Sequence, residues 1–267
     1  MLRQPAVAGQ FYPGDPRQLK AMVQGFLDPQ AVAQPALLAI SPHAGYVYSG
    51  ATAGKVLSQV AVPRRVVVVG PNHRGAGHSA AVMSQGRWQT PLGSVDLDAR
   101  LGAELLGRCS LLAEDPTAHM FEHSLEVQVP FLQMLQPELS LLPICLSFLS
   151  FSECQQVGLS LAQAIRAVGE PVLMVASTDM THYESAEAAH KKDTKALERI
   201  LALDPQGLFD TVRGLGITMC GVLPTTVCLV AAISLGATAA RLVQYTHSGM
   251  VTGDNQQVVG YAGLIVS

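Results

Sequence analysis

Three histidines share one context, because each sits just past the end of an apolar run. His43 lies in SPHAGYVYSG after ALLAI, His73 in GPNHRGAGH after RRVVVVG, and His182 in STDMTHY after PVLMVAS. Imidazole is the commonest metal ligand and the side chain best suited to moving a proton near pH 7. Rings gathered in one place would therefore make a metal centre or an acid/base site. Asp179, three residues before His182, adds a carboxylate, and Glu122 and His123 in FEHSLEVQ add another acid and another ring. Cys220 lies in TMCGVLPTT, ahead of a helix expected to begin near Pro224. The positive end of a helix favours thiolate, and thiolate is the form that binds metal.

Each of these residues also has a plainer role open to it. A loop histidine is commonly a hydrogen-bonded structural residue, which applies to His43 and His73 taken singly. Asp179 fits a helix cap, and His182 fits a surface position beside Tyr183. Cys220 fits a small buried hydrophobe, the role expected for Cys109, Cys145, Cys154 and Cys228. His78, His119, His190 and His247 read as structural or solvated. The loop GPNHRGAG lacks both the P-loop lysine-serine pair and the glycine spacing of a dinucleotide fingerprint, so a phosphate cradle is excluded.

The elements that must position these residues are legible around them. Asp15 reads as an N-cap, Pro16 as a first helical residue, and Gln18 as the third position of a capping-box-like start. Leu19, Met22, Val23, Phe26 and Leu27 then recur at helical spacing. ALLAI is a buried strand, SGATAGKVLSQV a helix, and RRVVVVG a β-branched strand bounded by Pro63 and Gly70-Pro71. An irregular stretch surrounds Trp88. Helical patterns cover residues 97–108 and 124–135, LSLLPICL is a strand, and SECQQVGLSLAQAIRAV is an amphipathic helix. PVLMVAS is a further buried strand, followed by a charged helix, EAAHKKDTKALERILAL. AARLVQYTHSG and VVGYAGLIVS close the chain as two antiparallel β segments.

Strands alternating with helices imply an α/β fold in a single domain spanning residues 1–267, a mostly parallel central sheet covered by helices on both faces. In such sheets ligands bind beyond the carboxyl ends of the strands. The loops of His43, His73 and Asp179-His182 should therefore open onto one rim.

Composition sets the outer bounds. With 49% hydrophobic and 14% charged residues, the chain buries a large core and disorder is excluded for most of it. A net charge of −3 argues against nucleic acid or an anionic membrane as partner. Five scattered cysteines without CxxC pairs fit reduced thiols in a cytoplasmic protein. Residues 214–240 carry no charged side chain, yet Pro224, threonines and glycines interrupt them, so a buried core helix explains them better than a membrane span.

The segments PAVAGQFYPGD, SPHAGYVYSG, VVGPNH, EHSLEVQVPFL, STDMTHY and MCGVLPTT occur in the order and approximate spacing of the Memo family, whose prokaryotic members are called AmmeMemoRadiSam system protein B. That family in turn resembles the class III extradiol dioxygenases and their LigB-like fold, which hold nonheme iron with two histidines and a glutamate. The resemblance implies that His43, His73 and Cys220 are metal ligands, with Cys220 where the dioxygenases have their carboxylate. It implies that His182 is the acid/base, that Asp179 is its acidic neighbour, and that Glu122 and His123 line the cleft.

The implied cofactor is a divalent metal, Fe(II) foremost, with zinc or copper admitted by the softer thiolate. The implied activity is oxidoreduction of a small aromatic or related substrate. A non-catalytic regulatory protein that keeps the cleft, with phosphopeptide-type or other partner recognition, is the first alternative. A hydrolase using Cys220 as nucleophile is the second, with His182 or His123 as base and Asp179 as orienter. The family name further implies AMMECR-type and radical SAM companion proteins.

Overall fold

The run RRVVVVG becomes the strand at the centre of the sheet. In the computed structural model, which describes all residues Met1–Ser267, the first six strands are β1 (Leu2–Arg3), β2 (Leu38–Ser41), β3 (Arg65–Pro71), β4 (Ala80–Val82), β5 (Arg87–Thr90) and β6 (Gly93–Leu97). The others are β7 (Ala113–Glu114), β8 (Ser140–Leu146), β9 (Val172–Ser177), β10 (His182–Glu184), β11 (Ala240–His247) and β12 (Val258–Val266). The helices are α1 (Pro16–Phe26), α2 (Tyr46–Leu57), α3 (Ala99–Leu106), α4 (Val129–Leu135) and α5 (Phe151–Val168). After them come α6 (Ala186–Leu201), α7 (Pro205–Gly214), α8 (Val222–Ser234) and the short α9 (Gly249–Thr252).

Strands β6, β8, β3, β9 and β2 lie side by side in that order, all parallel. Parallel strands covered on both faces read as continuous apolar runs, and β3 shows why. Val67 and Val69 point into a core shared with α3, α5, α7 and α8. Val66 and Val68 point the other way, into a core shared with α1, α2 and α4. Burying each such side chain contributes ~1.5–3 kcal/mol before entropy is counted. β12 then pairs antiparallel with β2, β11 and β10, so the sheet is mixed and mostly parallel at its centre. The expected α/β architecture is found. No helix is long and apolar enough to cross a membrane.

Local details differ from the sequence reading in four places. The stretch around Trp88 is an ordered antiparallel hairpin of β5 and β6, with Trp88 fully buried opposite Val95. The helix expected over residues 124–135 starts later, with a 3-10 turn at Glu126–Gln128 leading into α4. Asp15 caps α1 by accepting from the backbone of Arg17 and Gln18, a simple N-cap in place of a capping box. Helix α7 had no counterpart in the sequence reading.

The first dozen residues are tied down by a buried ion pair. Arg3 and Glu126 are both fully buried, 2.6 Å apart. Glu126 also accepts from the backbone of Ala6 and Val7 and from the Tyr12 hydroxyl. Arg3 donates to the carbonyls of His119 and Glu122 and lies over the Trp88 ring at 4.2 Å. A charge pair survives burial only when its remaining hydrogen-bonding capacity is filled, as it is here.

Candidate metal centre

Neighbouring strands deliver the site. In the order β3, β9, β2 they end on the same edge, with Ser41 opposite Ser177 and Val69 opposite Ala176. The loops beyond them carry His73, Asp179-His182 and His43. These residues, with His123, line a single cleft of about 630 Å³. One ring nitrogen from each of His43, His73 and His123 lies within 4.8 Å of the other two.

Hydrogen bonding sets which nitrogen of each ring is free. His43 Nδ1 is 3.0 Å from Ser177 Oγ. That hydroxyl gives its only proton to the Ser124 carbonyl at 2.6 Å and accepts from Gln128 Nε2 at 3.0 Å. His43 Nδ1 must therefore be the donor, which leaves a lone pair on Nε2. His73 Nδ1 faces Glu122 Oε1 at 2.9 Å, and His123 Nδ1 is 3.3 Å from the same oxygen. A carboxylate only accepts, so His73 donates through Nδ1 and its Nε2 is the free nitrogen, while His123 meets the same carboxylate by charge without a hydrogen bond. This is the carboxylate-histidine arrangement that orients metal ligands.

Glu122 is fully buried and accepts from the backbone N–H groups of His73, His123 and Ser124. Burial opposes its ionisation. The bonds and charge interactions from His73, Ser124 and His123 outweigh that and hold its pKa at about 2. Burial, reinforced by the neighbouring His73 and His123 rings, keeps His43 well below the usual imidazole range. Burial, partly opposed by Glu122, brings His123 down to about 4. The rings of His43 and His123 are therefore neutral at pH 7, the state in which imidazole binds metal.

Cys220 comes to the same place from the far side of the sheet sequence. Its Sγ lies 3.2 Å from His43 Nε2 and accepts from the Asp179 backbone N–H at 3.3 Å. Gly221 permits this approach: a Cβ there would sit 2.3 Å from Thr178 Cβ and 2.5 Å from the Ser177 carbonyl. Cys220 is not among the residues lining the cleft or in the three-nitrogen cluster. Burial, together with the Asp179 carboxyl, pushes its thiol up, against the lowering expected from the helix that follows it. The metal-free protein holds a thiol at neutral pH, and thiolate forms there only if a cation replaces the proton.

Asp179 accepts from the backbone N–H of His43 at 2.7 Å, and burial raises its pKa to about 7 against that bond and one from Ala44. His182 is held at the base of β10, paired with Val259. Its Nδ1 lies 2.9 Å from the Thr218 carbonyl, which only accepts, so its Nε2 also carries a lone pair. Burial lowers its pKa. His182 is thus a ring at the cleft anchored to backbone carbonyls, with burial disfavouring its charged form.

Known proteins give this arrangement a family. The family described as Memo-like protein matches residues 3–265. The chain belongs to the Memo family. MEMO1 family proteins of Methanopyrus kandleri and Aquifex aeolicus are 41% and 40% identical to it, each alignment covering 99% of this chain and 99% and 98% of the relative. One from Methanothermobacter thermautotrophicus is 37% identical over 99% of this chain and its own full length. Among solved structures, the uncharacterized protein JW3007 from Escherichia coli K12 has a similar fold, with a TM-score of 0.50 at 13% identity. That match covers 84% of this chain and 98% of the other. The mixed sheet is consistent with the LigB-like fold implied by the sequence resemblance.

The one orienter the sequence suggested, Asp179 behind His182 or His123, bonds backbone N–H groups, and the partners of the rings in this Memo-family site are others. Ser177 and Gln128 fix the His43 ring, and Glu122, expected only to line the cleft, holds the His73 ring from behind. The available signal was a serine closing an otherwise apolar strand and a glutamine inside a buried helix start. Phe11, Tyr48, Tyr183 and Tyr261, also cleft-lining, had no signal beyond lying near the histidine motifs.

Proposed function

We propose that this Memo-family chain holds a divalent metal ion in the cleft and performs oxidoreduction of the extradiol-dioxygenase type on a small aromatic diol. One observation carries the reading: His43 and His73 commit Nδ1 to oxygen partners and keep Nε2 free, and one ring nitrogen from each of His43, His73 and His123 lies within 4.8 Å of the other two. That donor set fits a divalent ion. His43 and His73 would hold it with His123 beside them, and Cys220 would be a further donor through the sulfur already in contact with His43. The ion, Fe(II) for this reaction class, would supply a Lewis acid and a one-electron couple to which diol and dioxygen are both drawn.

The chain's own residues do the rest. Glu122 keeps the His73 ring in the correct tautomer and orientation, with the His123 ring beside it. His182 Nε2 takes a proton from a substrate hydroxyl, and Asp179 is the neighbouring acid. Phe11 and the tyrosines give the diol an aromatic wall to pack against.

The hydrolase alternative has little geometric support. Cys220 contacts His43 rather than His182 or His123, and the Asp179 carboxylate bonds backbone N–H groups rather than either of those rings. The decisive experiment is anaerobic purification with elemental analysis, then oxygen uptake with a panel of catechols before and after chelation. Oxygen consumption that chelation abolishes is the expected result. Full iron occupancy with no uptake for any catechol would leave a binding protein in place of an oxygenase.

A further inference from the structure

The cleft that holds the histidines has no lysine or arginine among its lining residues. Arg74, the nearest cation in sequence, lies exposed with its Nε directed to the Phe121 carbonyl at 3.4 Å. Lys192 is paired with Glu184 at 2.5 Å. A helix N-terminus often replaces a missing cation, and α2 starts beside the cleft. Several donors around that start are already taken: the N–H groups of His43 and Ala44, which precede the helix, go to Asp179, that of Tyr46 to the Phe11 carbonyl at 2.7 Å, and that of Tyr48 to the Gly45 carbonyl at 2.8 Å. What remains for a substrate is neutral, from the polar tips of Tyr48, Ser248, Thr252 and Gln257 to the apolar Phe11 and Val259. Behind the rings lies the carboxylate of Glu122, of the sign that repels an anion.

An anionic substituent entering this cleft gives up water and meets no cation in its lining, since the diol oxygens would occupy whatever ion the histidines hold and Arg74, whose charge is felt at His123, sits outside the lining against the Phe121 carbonyl. Uncompensated desolvation of a charge is costly. We infer that the cleft accepts electroneutral catechols and rejects those bearing a carboxylate, sulfonate or phosphate, a selectivity set by the missing cation. This rests on the extradiol reading above and names its substrate class. It also separates that reading from phosphopeptide recognition, which needs the arginine cluster this cleft lacks.

The test uses protein loaded with zinc, which binds diols without turnover, and titration calorimetry at one pH. The two probes, 4-methylcatechol and 3,4-dihydroxybenzoate, differ only in carrying a methyl or a carboxylate at one ring position. The methyl compound should bind at least about tenfold more tightly. Gln257 is exposed at the cleft and has no hydrogen-bond partner. Gln257→Arg should raise affinity for the acid by about tenfold relative to the methyl compound, so the ratio of the two affinities, measured on the same variant, is the readout. Equal or tighter binding of the acid by the wild type would overturn the inference and leave the metal reading standing. So would a preference that Gln257→Arg does not move, since a missing charge would then not be its origin. Failure to take up zinc, or to bind either diol once zinc is bound, would remove the extradiol reading and this inference with it.

Discussion

Glu122 Oε1 accepts a hydrogen bond from His73 Nδ1 at 2.9 Å, so a carboxylate with no exposed surface sets the tautomer of a partly exposed imidazole. Replacing Glu122 by glutamine removes the charge and puts an amide N–H₂ among groups that all donate, the His73 ring and the backbone N–H groups of His73, His123 and Ser124. Glu122→Gln should weaken Zn(II) or Co(II) binding by about 10–100-fold, read by competition with a chromophoric chelator. Unchanged affinity in a variant with wild-type circular dichroism would refute the orienting role.

Cys220 is the donor the geometry places closest to His43 without placing it in the ring cluster. If its sulfur binds the ion, anaerobic Co(II) loading gives a sulfur-to-metal charge-transfer band in the near ultraviolet. Cys220→Ser should abolish the band and weaken binding, because a neutral hydroxyl replaces a soft anion. A fully loaded wild-type spectrum without that band would make Cys220 a structural thiol beside a three-histidine site.

His182 lies at the cleft but outside the nitrogen cluster, so its loss should separate chemistry from metal binding. His182→Ala should keep metal content within a few-fold and lose about 10²–10⁴-fold in oxygen uptake, the usual contribution of a general base. Loss of the metal along with activity would make His182 a ligand.

Asp193 is buried away from the cluster, accepting from the Thr181 N–H at 2.9 Å and the Tyr245 hydroxyl at 2.7 Å. Burial raises its pKa in spite of those bonds. The folded state then holds its proton more tightly than the unfolded chain does. Stability falls as pH rises from the unfolded carboxyl range, near 4, through the higher folded value. Asp193→Asn lacks that loss. The difference in unfolding free energy, variant minus wild type, should increase with pH across this window in urea titrations. A flat difference would show that Asp193 does not titrate on folding.

Arg3 and Glu126 form a pair that stabilises only while both are present. Arg3→Met leaves a buried carboxylate whose charge has no counter-ion, and should cost about 3–5 kcal/mol in urea unfolding. A loss below about 1 kcal/mol, the range of exposed pairs, would mean that water reaches Glu126.

What the sequence made legible follows from how each element earns its burial. β2, β3 and β9 are covered on both faces, so ALLAI, RRVVVVG and PVLMVAS had to be continuous apolar runs, and the residues after them could be placed on one rim. The hairpin around Trp88 buries few side chains on each strand, among them Trp88, Thr90, Val95 and Leu97, too few to establish a period of two. Pro224 suggested a helix starting there. The helix begins at Val222, because a proline within the first turn leaves no intrahelical bond unmade. At the site, the loop positions of His43, His73 and His182 were readable, while their tautomers depend on Ser177, Gln128, Glu122 and Thr218. Those contacts exist only after segments far apart in the chain have packed. The Cys220 thiol shows the same limit: sequence displays the helix that follows it, and only packing reveals the desolvation that outweighs it.

The Arg3 pair also orders events in time. Its partners lie 116 to 123 residues further along the chain, so a ribosome must add all of those residues before Arg3 has anywhere to go. Synthesis proceeds at roughly 5–20 residues per second, which leaves the amino-terminal segment waiting for several seconds. Phe11, carried by that segment, reaches the wall of the cleft only when the wait ends. One side of the cleft wall is thus set by residues made long after it, and it stays unformed until they arrive.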